Sequence, residues 1–129
     1  MLGLAACALA ATIACSAARA DDDDHGRKTR RAPPEVIAKG QAMYKTTCAP
    51  CHGEGGHGDG PAGKIFKPRP QDHTDAKYMD TITDEDMAKT INMGGAMKGK
   101  PSMPSHPAIR GADMDALVAY VRTLSHPEK

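Results

Sequence analysis

The chain has 129 residues, enough for one small domain, and its charge is nearly balanced, with 17 Lys and Arg against 16 Asp and Glu. A nucleic-acid-binding protein normally carries a basic excess, so that class of function is disfavoured. The chain contains one Phe, three Tyr and no Trp. Side chains alone would therefore form a thin core, and we expect either partial disorder or a bound group that fills the middle of the domain.

Residues 1–20 form an alanine-rich segment with 16 apolar residues that ends in Ala18-Arg19-Ala20. This small-x-small ending predicts a signal peptide cleaved after Ala20, and hence a periplasmic or secreted protein that is soluble after cleavage. A membrane anchor is an alternative, but the segment is short for a bilayer span. The sequence Leu4-Ala5-Ala6-Cys7 also resembles a lipoprotein cleavage site. A lipid anchor is therefore a second alternative, which we favour less than cleavage.

The rest of the chain divides into a tail, one domain and a short end. Residues 21–33 contain an acidic block, a basic block and no apolar periodicity, which predicts a disordered tail. Residues 34–125 form the domain, and residues 126–129 form a C-terminal tail. Nothing in the domain shows the alternation of apolar and polar residues that is typical of strands, so we expect an all-α fold.

Apolar residues at helical spacing predict three helices. The first covers about 34–46 and the second covers 84–93, which Thr83 and the following acidic residues begin as an N-terminal cap. The last helix carries a stripe at i, i+3, i+4, i+7 and i+10, made of Met114, Leu117, Val118, Val121 and Leu124. Glycine and proline are frequent in residues 53–72 and 94–108, which we expect to be loops.

The sequence Cys48-Ala49-Pro50-Cys51-His52 is a C-x-x-C-H motif, which is the attachment sequence for c-type haem. Two thiols with this separation at the end of a helix can reach both vinyl groups of one porphyrin, and His52 then lies where its imidazole can bind the iron. The single motif predicts one covalently attached haem c. A thioredoxin-like pair would need a βαβ pattern, and a zinc site would need further ligands at paired spacing; the sequence shows neither.

With this motif in place, the chain resembles the class I cytochrome c family, specifically its small bacterial monohaem domains. The resemblance extends from about residue 35 to residue 124 and includes Gly40, Tyr44, the C-x-x-C-H motif, Gly58-Asp59-Gly60-Pro61, Met103-Pro104 and the segment from Leu117 to Leu124. It implies the cytochrome c fold, with three to four helices and long loops around one haem. It also implies that the first helix crosses the last at Gly40, with Tyr120 packed nearby.

The sixth iron ligand separates an electron carrier from a haem that binds or activates small molecules. Met103 lies in a stretch where proline restricts the backbone, and it matches the Met-Pro ligand motif of the family. We therefore predict that His52 and Met103 are the axial ligands. Met97 is the next candidate, in a glycine-rich loop, and His106 is the third.

The sequence also offers candidates for residues that contact the haem or its ligand without binding the iron. The resemblance implies that the carbonyl of Pro61 accepts a hydrogen bond from the second ring nitrogen of His52. Arg69 could pair with a haem propionate, or it could simply be solvated. Four loop lysines could steer an acidic partner, although a solvated surface is the favoured interpretation: Lys64, Lys67, Lys98 and Lys100.

These features predict a monohaem c-type cytochrome that transfers single electrons between a protein donor and a protein acceptor, such as a membrane oxidase or a periplasmic dehydrogenase. We expect no enzyme activity, no small-molecule substrate and no nucleic acid partner. Two alternatives stay open. One is a haem enzyme or small-ligand sensor with an open sixth position, and the other is a haem subunit of a larger oxidase or dehydrogenase complex.

Overall fold

The computed structural model describes residues 32–127, which contain helices and loops and no strand. The helices are α1 (Pro34–Thr47), α2 (Ala49–His52), α3 (Ala76–Met79), α4 (Asp84–Met93) and α5 (Ala112–Ser125), with a 3-10 turn at Ala96–Lys98. The all-α prediction is confirmed. The predicted leader at 1–20 and most of the predicted tail at 21–33 lie outside the described residues. Within residues 32–127, no helix combines the length and the apolar character needed to cross a membrane.

The three long helices lie where the apolar periodicity predicted them, and α4 has the predicted bounds of 84–93. Helix α4 begins as expected, because Oγ1 of Thr83 accepts a hydrogen bond of 3.0 Å from the backbone N–H of Asp86. Helices α2 and α3 were not predicted separately, so the described residues hold five helices rather than three to four. Each of these two has four residues, which is too short to show a periodic pattern.

Helices α1 and α5 cross in close contact, and this crossing organises the fold. Gly40 of α1 is buried at the crossing, and a Cβ atom there would overlap the carbonyl oxygen of Ala116. The same Cβ would lie 2.8 Å from Cβ of Tyr120. The expected crossing at Gly40 is therefore confirmed. Tyr44 and Leu117 are fully buried beside it and form the centre of the core.

Helices α3 and α4 are tied to α5 by one arginine. The guanidinium of Arg122 donates to the carbonyl oxygens of Met79 and Ile82, at 2.6 Å each, and to the carboxylate of Asp84 at 2.7 Å. These acceptors lie at the end of α3, in the loop that follows it and at the start of α4. Arg122 therefore holds the α3–α4 segment against the last helix.

Candidate haem site

The C-x-x-C-H motif forms a nearly continuous extension of helix α1. The backbone N–H of Cys48 donates to the carbonyl of Tyr44 at 2.8 Å, and that of His52 donates to the carbonyl of Cys48 at 2.9 Å. Because residues three apart share one face of a helix, Cys48 and Cys51 both line the same cleft as His52. Both cysteines are free thiols and are half-buried. Burial raises the pKa of the Cys48 thiol to about 11, so this thiol is protonated at neutral pH.

His52 is held in the form that can bind a metal. The side chain is buried, with the residue 8% exposed, and Nδ1 lies 3.0 Å from the carbonyl oxygen of Gln71. A carbonyl only accepts, so Nδ1 carries the proton and donates it, which leaves the lone pair of Nε2 available to a metal ion. Burial is the main reason that the pKa of His52 lies below its ordinary value, and the ring is therefore neutral at neutral pH.

The prediction that Pro61 supplies this carbonyl is wrong. Pro61 is exposed, in a turn that folds back on the C-x-x-C-H segment, where the N–H of Ala62 donates to the carbonyl of Pro50 at 3.0 Å. The chain has to run ten residues further before it passes the ring of His52 at Gln71. One feature of the sequence could have indicated Gln71 as the acceptor: the segment Pro68-Arg69-Pro70 restricts the backbone immediately before it.

A cleft of about 1210 Å³, including its open mouth, lies between the C-x-x-C-H turn, helices α3 to α5 and the loops. Its walls are mainly apolar, with contributions from Phe66, Met79, Ile82, Met87, Ile91 and Val121. Ligand pockets in proteins are typically lined mainly by apolar side chains with a few polar groups, and this cleft has the same character. A flat apolar macrocycle that enters it would meet two thiols, the imidazole of His52 and thioether sulfur atoms. The residues present therefore fit a covalently attached haem.

The candidate sixth ligands occupy different positions. Met103 is half-buried and lines the cleft, in the loop between α4 and α5. Met97 is 79% exposed and is not among the cleft residues. His106 lines the cleft and is fixed through its backbone N–H, which donates to the carbonyl of Ile91 at 2.9 Å. The geometry therefore keeps Met103 and His106 as candidates and disfavours Met97.

A second histidine, which the sequence analysis did not place at the site, lies against His52. The rings of His73 and His52 are stacked, with centroids 4.3 Å apart and planes inclined by 15°. Nδ1 of His73 lies 3.4 Å from Oη of Tyr44, and that hydroxyl donates to the carbonyl of Gly53 at 3.2 Å. No local motif marks His73, because its partners are 21 and 29 residues away in sequence.

The positions of the protons on Tyr44 and His73 follow from which of the neighbouring groups can donate a hydrogen bond. A hydroxyl has one proton, and the carbonyl of Gly53 can only accept, so the proton of Tyr44 goes to Gly53. The lone pair of Oη then accepts from Nδ1–H of His73. Burial of the ring lowers the pKa of His73 to about 3, so it is neutral at neutral pH. Burial also raises the pKa of Tyr44, which stays a phenol.

A protein-family model described as Cytochrome c matches residues 37–125. The chain belongs to the cytochrome c family. The resemblance given by the motifs is therefore confirmed, and with it the all-α cytochrome c fold. A relative, the cytochrome c oxidase subunit 2 of Alkalihalophilus pseudofirmus, is 32% identical over 94 residues. The match covers 71% of this chain but only 27% of that relative, so this cytochrome c corresponds to about a quarter of the relative's length.

Several cations lie around the cleft of this cytochrome c. Arg69, Lys98 and Lys100 line it, whereas Lys64 and Lys67 are exposed and are not among the lining residues. Lys100 crosses between two loops, since its ammonium donates to Oε1 of Gln71 at 3.1 Å and to the carbonyl of Arg69 at 3.3 Å. Pairing of Arg69 with a haem propionate and steering by the lysines both stay predictions.

Proposed function

We propose that this cytochrome c carries single electrons between two redox proteins, with one covalently attached haem whose iron is bound by His52 and Met103. One observation carries the proposal: the fold brings two cysteines, a neutral histidine and a methionine from a distant loop to one apolar cleft. When bound, the haem supplies an iron that cycles between two oxidation states. The chain supplies the attachment points, the ligands and an apolar environment.

Cys48 and Cys51 would form the thioether bonds to the porphyrin. His52 would offer Nε2 to the iron, because its Nδ1 is occupied by the carbonyl of Gln71. That hydrogen bond also fixes the ring orientation and increases the basicity of the ligand. The three side chains of the motif lie on one short helical segment, so the attachment and the axial bond are set by the same local geometry.

Met103 is the preferred sixth ligand because its main chain is fixed beside the cleft. Its N–H donates to the carbonyl of Lys100, and its carbonyl accepts from the N–H of Gly95, at 3.1 Å each. Met79 and Met87 also line the cleft but belong to helices and are buried in the core. A thioether is a soft neutral ligand that favours reduced iron, so it suits an electron carrier of high potential.

A filled sixth position supports electron transfer rather than catalysis. With sulfur on one face and imidazole on the other, the iron would offer no open position to peroxide, oxygen or carbon monoxide. We therefore propose that the protein is not an enzyme and has no small-molecule substrate. Its partners would be a protein electron donor and a protein acceptor. The apolar segment 1–20 supports a periplasmic or secreted location, with Asp21 as the first residue of the mature chain.

Intact mass and spectroscopy of the native protein test this function. We expect the mass of residues 21–129 plus one haem, a weak sulfur-to-iron charge-transfer band when oxidised, and little binding of carbon monoxide when reduced. Met103→Ala should abolish the band, lower the potential and allow carbon monoxide to bind, whereas Met97→Ala should leave all three unchanged. A native protein that lacks the band and binds carbon monoxide readily would instead be a ligand-binding haem protein. A chain that begins at Cys7 with attached lipid would contradict the soluble assignment.

A second candidate function is a haem subunit of a larger oxidase complex. The observation that favours it is the relative, which carries the name of a cytochrome c oxidase subunit. Purification of the native protein from mild detergent extracts separates the two. A free carrier should elute alone, whereas a subunit should remain with the complex in a fixed ratio at high salt.

A further inference from the structure

His73 covers one face of the imidazole of His52, and the proposed function leaves it without a role. The two ring planes are nearly parallel, at 15°, and the centroids are 4.3 Å apart. The backbone N–H of His73 donates to the carbonyl of Gly56 at 2.7 Å. This bond holds the main chain that carries the ring, and the ring itself packs on His52.

The ring of His73 also contacts Tyr44, a buried residue of helix α1. Tyr44 is 0% exposed, and its ring packs at 5.2 Å from the ring of Tyr120 of α5. Its hydroxyl accepts from Nδ1–H of His73, as shown above, while it donates to Gly53. The rings of Tyr44 and His73 also form a T-shaped pair, with centroids 6.0 Å apart. The helix crossing thus fixes Tyr44, which in turn fixes the ring of His73.

We propose that His73 is a positioning residue that sets the orientation of the His52 imidazole plane relative to the haem; this inference rests on the proposed function. The hydrogen bond to Gln71 restrains Nδ1 but still permits the ring to tilt about the line from Nδ1 to the carbonyl oxygen. A second ring stacked on its face resists that tilt, because tilting would push the two rings into each other. The two contacts together leave the imidazole one orientation.

The orientation of an axial imidazole has its own spectroscopic signature. In oxidised haem, the plane of the ligand decides which iron orbital holds the unpaired electron, so the g values and the spread of the haem methyl NMR shifts depend on it. A residue that only stabilises the fold does not change these quantities while both axial ligands stay bound. They therefore separate a positioning role from a purely structural one.

Two substitutions at His73 separate the ring face from the hydrogen bond. His73→Leu removes the flat face, and His73→Phe keeps it while removing Nδ1. With His73→Leu, we expect altered g values and an altered spread of methyl shifts in the oxidised holoprotein, with the sulfur-to-iron band retained. With His73→Phe, we expect values close to the unmodified protein. A leucine variant with an unchanged spectrum, or a phenylalanine variant as altered as the leucine variant, would overturn the proposal.

Two control variants calibrate these changes. His57→Leu removes a neighbouring histidine whose ring contacts Thr74 rather than His52, and its spectrum should be unchanged. Met114→Ala removes a buried core side chain that does not line the cleft, and should lower stability without changing the methyl shifts. If Met114→Ala alters the shifts as much as His73→Leu does, the effect is a general loosening and the positioning role is wrong.

The unmodified protein provides a test that needs no variant. In the reduced, diamagnetic holoprotein, nuclear Overhauser contacts are expected between the ring protons of His52 and His73, and their absence contradicts the proposal. The ligation by Met103 and the role of His73 can fail separately. A protein without the sulfur-to-iron band would contradict ligation by Met103. The comparison of His73 variants would still report on His52, because the haem methyl shifts respond to the orientation of the imidazole with either sixth ligand.

Discussion

Gly40 and Ala116 bring the backbones of helices α1 and α5 into direct contact, because the missing side chain of Gly40 leaves room for the carbonyl of Ala116. This contact has consequences for the site as well as for stability. Tyr44 lies one turn further along α1, and the C-x-x-C-H motif begins four residues after it. The close crossing therefore determines where the C-x-x-C-H segment emerges from the core.

Gly40→Ala should lower the free energy of unfolding of the holoprotein by about 1–3 kcal/mol or more, because the new methyl group would overlap backbone atoms that cannot rotate away. Thermal or denaturant unfolding followed by circular dichroism measures the effect. Gly55→Ala is the matched control, since its Cβ would meet only the exposed ring of His57, at 3.1 Å. Equal stability of the two variants would contradict the close crossing.

Arg122→Lys should destabilise the protein by about 2 kcal/mol, although it keeps the positive charge. A lysine cannot reproduce the planar fork that reaches Met79, Ile82 and Asp84 together, so carbonyl groups in a half-buried region would lose their donors. Denaturant unfolding of the holoprotein measures the change in the free energy of unfolding.

An ion pair elsewhere on α5 provides the control for this prediction. Lys39 and Asp113 join α1 to α5 at 2.6 Å, but both side chains are about half exposed. Lys39→Met should therefore change the free energy of unfolding by less than about 1 kcal/mol. If the two variants lose the same stability, the half-buried guanidinium of Arg122 is not the contact that holds the α3–α4 segment.

Replacement of both Cys48 and Cys51 by alanine should leave a largely unfolded chain after purification without haem. The cleft would then have no macrocycle to cover its apolar walls, and the remaining core has few aromatic side chains. Far-ultraviolet circular dichroism should show most of the helical signal lost relative to the holoprotein. Full helicity in the haem-free variant would show that the side chains suffice to form the core.

The sequence was a good guide to features that depend on local spacing. Helix α4 follows from the cap at Thr83 and the apolar stripe after it, and the C-x-x-C-H motif follows from five consecutive residues. The crossing at Gly40 was expected from the resemblance to a family rather than from periodicity. In each of these cases, the interacting residues are close in sequence or form part of a known motif.

The contacts that hold His52 could not be read in the same way. Gln71 acts through its main-chain carbonyl, which any residue has, and it lies 19 positions from the histidine. His73 had no local pattern that distinguished it from the other histidines of the chain. Such contacts depend on the path of the loop from Gly53 to Thr74, which is set by tertiary packing rather than by the sequence within it.

The link between Lys100 and Gln71 joins the two loops on either side of the cleft, and its energy can be measured by a double-mutant cycle. Lys100→Ala, Gln71→Ala and the double variant should give a coupling energy of about 0.5–1 kcal/mol, because both residues are partly exposed. Lys98→Ala combined with Gln71→Ala should give none. Lys98 carries the same charge and lines the same cleft, so it controls for charge alone.

Gln71 contacts His52 through its main-chain carbonyl and Lys100 through its side chain, and the reduction potential distinguishes the effects of these two contacts. Gln71→Ala removes the side-chain amide that receives Lys100, but it retains the main-chain carbonyl that receives Nδ1–H of His52. We therefore expect the potential of Gln71→Ala to remain close to that of the unmodified protein, while the coupling to Lys100 is lost. Redox titration and unfolding of the same samples test both statements. A large change in potential would show that the side chain, and not only the carbonyl, acts on the iron ligand.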